Sequence, residues 1–241
     1  MEITKMVTSK KYNVKVIEVL ELNPRIKCFK LKRPKEFEFK SGQFIMLSFD
    51  VNGKNIKRAY SIASWPSNKE FIELVIKAVP GGNSEYLVNN LKKGDKIDFL
   101  GPLGHFSCNN KEDNLVFVSV GVGLAPFRSM IFDLLSNENN KNKTITFITG
   151  YRTKDNELFK EEFEKLTNRF PNFSYHLILS RPIDQSYKFK GYVQDFLKDL
   201  LLDKNKTEVY ICGLNDMVNG VKDELLSIGI SEDRIFFEKW G

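Results

Sequence analysis

Two rhythms of hydrophobic and polar positions run along this chain. In residues 12–100 the apolar positions come in short runs rich in β-branched and aromatic side chains, at 12–17, 44–49 and 71–76. Turn-forming residues punctuate them: Asn23-Pro24, Ser41-Gly42, Asn52-Gly53, Pro80-Gly81-Gly82, Gly94-Asp95 and Gly101-Pro102. Many short strands at that spacing predict an antiparallel sandwich or barrel, with a single helix over 84–91. After the polar stretch 109–114 the rhythm changes. Near-continuous apolar runs at 115–120, 144–149, 175–179, 208–212 and 234–238 alternate with helical periodicity over 125–135, 158–166, 193–201 and 216–226. Strands that are apolar on both faces and joined by helices predict a doubly wound parallel sheet of α/β type. The chain is thus expected to divide into residues 1–110 and residues 111–241. Ligands of such a sheet sit at the carboxyl ends of its strands, near the point where strand order reverses.

Composition narrows the chemistry. A chain of 241 residues, 41% hydrophobic and 28% charged, is long enough for two modest cores. Residues 1–11 lack the apolar stretch of a signal peptide or membrane helix, which predicts a cytoplasmic protein with no membrane partner. The three cysteines, Cys28, Cys108 and Cys212, lie far apart without a C-x-x-C pair, so neither a disulfide framework nor an internal iron–sulfur cluster is expected. With His105 and His176 the only histidines, no metal site is expected either. The net charge of +6 fits a lysine-rich surface and equally fits steering of acidic partners or phosphates. No basic block or nucleic-acid motif accompanies it, so no nucleic-acid partner is expected. Oligomeric state is not written in these features.

Several glycine-rich segments carry candidate chemistry. Gly121-Val122-Gly123-Leu124-Ala125-Pro126 follows the first strand of the second half and opens a helix. Its glycines let backbone approach a pyrophosphate, the helix start presents free N–H groups, and Pro126 suits a first turn where no N–H is needed. It stops short of a full G-x-G-x-x-G, so no ribose-binding acid is assigned. Taken alone, Arg58-Ala59-Tyr60-Ser61 is an alternating strand with Arg58 and Tyr60 on one face, and Gly81-Gly82-Asn83-Ser84 is a simple helix start. Gly101-Pro102-Leu103-Gly104 has the composition of a turn, and Cys212-Gly213 ends a buried strand.

Together these five segments, in order from Arg58 to Gly213, resemble the ferredoxin-NADP reductase family, and the resemblance covers nearly the whole chain. It implies an N-terminal antiparallel flavin-binding β-barrel followed by a C-terminal α/β domain that binds NAD(P). Carried over residue by residue, it makes Tyr60 the ring lying against the flavin, Ser61 the hydroxyl near its reactive nitrogen, and Arg58 a cation for the flavin phosphates. Gly81, Gly82, Asn83 and Ser84 would hold a second phosphate, which favours FAD over FMN. Gly121, Gly123 and Pro126 would receive the nicotinamide dinucleotide, and Cys212 with Gly213 would lie near the hydride path, Cys212 as a positioning group without a base partner. Ser180, Arg181 and Lys190, with Arg152, lie where NADPH-using members place residues around the 2′-phosphate. Each fits an exposed loop charge equally well, so the lean is to NADPH with NADH open. Trp240 is the candidate for the aromatic residue that many members place near the flavin at the C-terminus; core filling and adenine stacking are its other readings. The implied activity is hydride exchange between NAD(P)H and FAD, with single electrons passed to or from an acidic carrier such as ferredoxin or flavodoxin. The reductase component of an oxygenase, a flavin or ferric reductase, and a non-catalytic dinucleotide-binding scaffold are the alternatives.

Overall fold

The computed structural model describes residues 9–200 and 203–240. The first eight residues of the polar start, the Leu201 end of the helix expected over 193–201, and Gly241 lie outside the described residues. The chain forms two compact units. One takes the residues up to Ser107 together with Ala125–Asp133; the other takes Cys108–Leu124 and the residues from Leu134 onward.

In the first unit six strands, β1 (Lys10–Asn23), β2 (Ile26–Lys32), β3 (Phe44–Val51), β4 (Lys54–Ser61), β5 (Phe71–Lys77) and β6 (Lys96–Leu103), form one antiparallel sheet in the order β4-β3-β6-β1-β2-β5. The long β1 lets the sheet curl. Its first half, Lys10 to Lys15, pairs with β6, its second half pairs with β2, and a register shift between Val16 and Glu18 marks the bend. The two outermost strands then meet through an antiparallel bridge between Ile62, just past β4, and Leu74 of β5. This is the expected antiparallel barrel, closed at that corner.

Alternation along each strand builds its core. Phe29 and Leu31 of β2, Ile45 and Leu47 of β3, Ile72, Leu74 and Ile76 of β5, and Ile97 and Phe99 of β6 are all buried together. Tyr12, Phe37 and Phe99 meet at ring-centroid distances of 5.1 to 5.4 Å, a range in which each pair adds about 0.5–1.5 kcal/mol beyond area burial. Helix α1 (Asn83–Asn90) lays Leu87 and Val88 on the same core. Residues 101–104 differ from the expected turn. Strand β6 runs on through Leu103, because Gly101 pairs with Lys10 and Leu103 with Phe44. A Cβ at Gly101 would meet Ile45 Cγ2 at 2.7 Å, so this glycine serves close strand packing.

The remaining part of this unit is the middle of helix α2 (Leu124–Ser136). Arg128 Nη1 meets Glu73 Oε2 at 2.6 Å with both side chains buried. Losing one partner of such a pair costs about 3–5 kcal/mol, because the other charge stays buried. Phe132 stacks on Trp65 at 4.2 Å, and Ser41 Oγ donates to Asp133 Oδ2 at 2.9 Å.

The second unit holds five strands, β7 (Asn114–Val120), β8 (Thr144–Tyr151), β9 (Phe173–Leu179), β10 (Thr207–Leu214) and β11 (Ile235–Trp240). All pair in parallel, in the order β11-β10-β7-β8-β9. The chain starts at the centre, winds one way to β9 and returns to β10, so strand order reverses between β7 and β10. Strands β7, β8 and β10 are buried almost end to end, as their apolar runs require. The connecting helices are α3 (Lys160–Arg169), α4 (Leu197–Leu200) and α5 (Asn215–Ser227). Helix α3 starts later than the pattern over 158–166 suggests, because Phe159 takes a left-handed φ of 55° just before it. The helix expected over 193–201 begins as a 3₁₀ turn, Val193–Phe196, before α4. Among the described residues no helix is long and apolar enough to cross a membrane.

Candidate functional site

Strand β4 is the outer strand of its sheet and carries the first candidate group. Arg58 lies opposite Leu47, Tyr60 opposite Ile45 and Ser61 opposite Phe44, so Arg58 and Tyr60 share one face. Arg58 is exposed, while Tyr60 and Ser61 are half-buried. The Tyr60 ring packs against the barrel core. Burial pushes its phenol up to about 12 despite the opposing charge of Arg58. It is therefore neutral at physiological pH, a flat surface with one hydroxyl. Arg58 Nη1 donates to Lys57 O at 2.8 Å, which uses one of the five guanidinium donors.

Gly81 to Ser84 form the loop that enters α1. Ser84 does not cap the helix; its Oγ accepts from Val79 N–H at 3.1 Å and closes the loop, while Gly82 takes the capping position. Asn83 opens the helix itself. Gly81 N–H donates to Glu85 Oε2 at 2.8 Å. A carboxylate oxygen thus takes the Gly81 N–H, beside the first N–H groups of a helix. The donor set fits an anionic cofactor.

In the second unit the candidate residues gather at the carboxyl ends of the strands. Gly121 and Gly123 form a single 3₁₀ turn between β7 and α2, and Cys212 and Gly213 lie at the end of the neighbouring β10. Both flank the point where strand order reverses, the place where open α/β sheets hold ligands. Gly121 has a φ of 55°, and a Cβ there would meet nothing within 4 Å, whereas a Cβ at Gly123 would lie 2.3 Å from Cys212 O and 3.2 Å from the Trp240 ring. The loop is open on one side and packed on the other, which fits the approach of a dinucleotide. Pro126 stands in the first turn of α2, as its missing N–H allows. Trp240 ends β11 opposite Leu214, so the ring against Gly123 belongs to this cluster.

Cys212 is fully buried, and its thiol is held well above its ordinary value by burial, with the Glu238 charge adding to the effect. A protonated thiol is a poor nucleophile, consistent with a positioning group. Glu238 sits across from Cys212 on β11, and burial raises its own carboxyl. In sequence Glu238 passes for an ordinary strand residue. The signal that marks it is a carboxylate directly after the apolar run 235–237, two positions before Trp240.

A third group lies at the ends of β8 and β9. Ser180 N–H donates to Tyr151 O at 3.0 Å and Arg181 N–H to Arg152 O at 2.7 Å, so the pairing continues past the strands and brings the two arginines side by side. Both are exposed. Lys190 bridges to Leu179, and its Nζ donates to Gln185 Oε1 at 2.7 Å. The three cations Arg152, Arg181 and Lys190, with Ser180, form one basic rim of the parallel sheet. Arg128 is a second residue that sequence reasoning misses; its signal is a lone cation within the apolar run of α2.

Comparison with known proteins agrees with this layout. A family model described as the oxidoreductase FAD-binding domain matches residues 11–108, and one described as the oxidoreductase NAD-binding domain matches residues 117–223. The phenol hydroxylase P5 protein of Acinetobacter pittii is 34% identical over 235 residues, covering 95% of this chain and 65% of that protein. The glycine betaine monooxygenase reductase of Chromohalobacter salexigens is 30% identical over 246 residues, covering 97% of this chain and 65% of that protein. The chain thus spans just under two thirds of the length of these relatives. In fold it matches a ferredoxin NADP+ reductase from Neisseria gonorrhoeae, solved with bound FAD and NADP, with a TM-score of 0.83 and 24% identity over 95% of this chain and 98% of that one. With both domain models matched in order, the chain belongs to the oxidoreductases that join an FAD-binding domain to an NAD-binding domain, and its fold is that of the ferredoxin-NADP+ reductases.

Proposed function

We propose that this chain exchanges hydride between NAD(P)H and FAD and hands single electrons to, or takes them from, an acidic protein carrier such as ferredoxin or flavodoxin in the cytoplasm. The reading is carried by the clustering of Gly121, Gly123, Cys212, Gly213 and Trp240 at the strand-order reversal of a matched NAD-binding domain. Bound FAD supplies the exchange between two-electron and one-electron chemistry, and the nicotinamide supplies the hydride. The chain's own groups do the rest. Arg58 offers guanidinium donors to phosphate, Asn83 and Ser84 offer the first backbone N–H groups of α1, Gly81 and Gly82, whose own N–H groups are held by Glu85 and Val79, shape the loop that presents them, and Tyr60 offers a neutral flat surface. The Ser61 hydroxyl can donate or accept as the flavin's charge changes. Cys212, held protonated by its burial, fills space at the nicotinamide loop without reacting. Arg152, Ser180, Arg181 and Lys190 favour a 2′-phosphate and hence NADPH. The functional division falls near residue 110, with the flavin side before it.

A second reading, the reductase component of an oxygenase, is favoured by the likeness to the phenol hydroxylase P5 protein. One experiment separates the two. The FAD-loaded chain is mixed with NADPH and NADH in parallel, loss of the visible flavin absorption is followed, and the reduced protein is titrated with ferredoxin, flavodoxin, free flavin and oxygen. Fast reoxidation by ferredoxin or flavodoxin supports the first reading. Absence of reduction by either nicotinamide overturns both, and a chain that takes up no FAD points to a non-catalytic scaffold.

A further inference from the structure

Arg128 stands among charged and aromatic groups in a way that packing alone does not require. Its side chain is 4% exposed and that of Glu73 is 5% exposed. One guanidinium nitrogen, Nη1, donates both to Glu73 Oε2 at 2.6 Å and to Ala63 O at 2.9 Å. The guanidinium carbon lies 5.5 Å from the Trp65 ring centroid and 5.4 Å from that of Phe132. Its neighbour Ser129 donates from Oγ to Ser64 O at 2.6 Å. Glu73 answers through its backbone: its N–H donates to Ser64 Oγ at 3.1 Å, and its carbonyl accepts from Ala63 N–H at 2.8 Å. Both carbonyls of the Ala63-Ser64 pair are therefore held by side chains of α2, while Glu73 of β5 holds the Ala63 N–H and the Ser64 hydroxyl.

That pair directly follows the flavin motif, separated from Ser61 by Ile62 alone, whose N–H donates to Gln43 O at 2.9 Å. A fixed chain at residues 62–64 leaves little freedom for Tyr60 and Ser61. A buried ion pair is a poor way to add stability, since apolar residues of similar volume serve as well or better. Its use here calls for a geometric purpose. A guanidinium also suits this place as an ammonium does not, because its fixed fork of donors reaches a carboxylate and a carbonyl while its carbon lies 5.5 and 5.4 Å from the centroids of two rings that stack on each other.

We propose that Arg128 is a positioning residue for the flavin motif: through Glu73 and the Ala63 carbonyl it sets the Tyr60 ring and the Ser61 hydroxyl in the orientation that receives FAD. The proposal rests on the reading that Tyr60 and Ser61 meet the flavin. Its test uses Arg128→Lys, and the double variant Arg128→Met with Glu73→Leu, which removes both charges of the pair and leaves Lys30 its second partner, Glu18. Three readouts are taken on the full chain: the thermal midpoint without cofactor, hydrogen exchange of the amides of residues 60–64 without cofactor, and FAD affinity with the shape of the visible flavin band. The double variant is expected to keep its thermal midpoint within a few degrees, to exchange at residues 60–64 at least about tenfold faster while β1 and β2 stay protected, and to bind FAD at least about tenfold more weakly with a blurred band. Arg128→Lys is expected to fall between the two. Unchanged exchange at residues 60–64, or wild-type FAD affinity and band shape in the double variant, overturns the proposal. Should that variant lose its fold, exchange and FAD binding in Arg128→Lys decide in its place. A wild-type chain that takes up no FAD would overturn the flavin reading itself, and this proposal with it.

Discussion

At the scale of single residues, the site divides into groups whose chemistry is visible in the sequence and groups visible only in their surroundings. Arg58, Tyr60, Ser61, Gly121 and Gly123 belong to the first kind: each alone fits an ordinary strand or turn, and their order along the chain with the other glycine segments is what resembles a flavin and dinucleotide site. Glu238 and Arg128 belong to the second. Nothing in a residue's identity says that its charge will be buried, because that depends on which strand lies opposite and what covers it. Burial makes Glu238 titratable in a way the sequence cannot show. Its folded carboxyl sits above the ordinary value of 4.5 because burial disfavours the charged form. The folded state thus holds the proton more tightly than the unfolded chain. The stability from this group is fully present below the ordinary carboxylate range and is lost as pH rises through the raised folded value. Glu238→Gln removes that dependence. The thermal midpoint of the variant should gain on wild type between about pH 4 and about pH 7, and scanning calorimetry at both ends checks it. Parallel pH curves would show that the carboxyl is not held up by burial.

At the scale of elements, periodicity is informative where a strand or helix faces one environment along its length. The buried runs of β7, β8 and β10 are apolar at nearly every position, and they are found where the pattern places them. It misleads where geometry is local. Glycine and proline at 101 and 102 have turn composition, yet Gly101 is there for close approach to Ile45 and the strand continues. The start of α3 is displaced by one left-handed residue, Phe159, which no hydrophobic pattern encodes. The cationic rim is likewise an effect of elements. Arg152 and Arg181 are far apart in sequence and become neighbours only because the β8–β9 pairing runs on past both strands. If that rim holds a 2′-phosphate, Arg181→Ala should raise the KM for NADPH about tenfold, the loss of about 1.4 kcal/mol of charge-assisted binding, and leave the KM for NADH within about twofold. Steady-state kinetics with both nucleotides decides; equal losses for the two would assign Arg181 to the common part of the dinucleotide or to the loop's own structure.

For the whole molecule, the order of segments announces two kinds of architecture, but not how every segment is shared between them. Helix α2 follows the first strand of the second half, and its amphipathic pattern says that a face is buried without saying against what. The answer, that Ala125–Asp133 groups with the barrel through Arg128, Ser129, Phe132 and Asp133, depends on partners from Ser41 to Glu73 that no local pattern reveals. Net charge is a property of the same scale, and +6 is the one feature bearing on an electron carrier without naming a residue. Its effect must be long-ranged, since Lys and Arg are scattered along the chain. Exposed charges act over a screening length of about 8 Å at physiological ionic strength and about 3 Å at 1 M salt. Electron transfer to an acidic carrier should therefore slow by about tenfold or more between low salt and about 1 M salt, in the second-order rate constant and not in the limiting rate. A neutral quinone under the same conditions provides the control, because its encounter gains nothing from charge. If the carrier and the quinone slow in parallel, salt is acting on the reductase itself, and the basic balance is no more than a solvated surface.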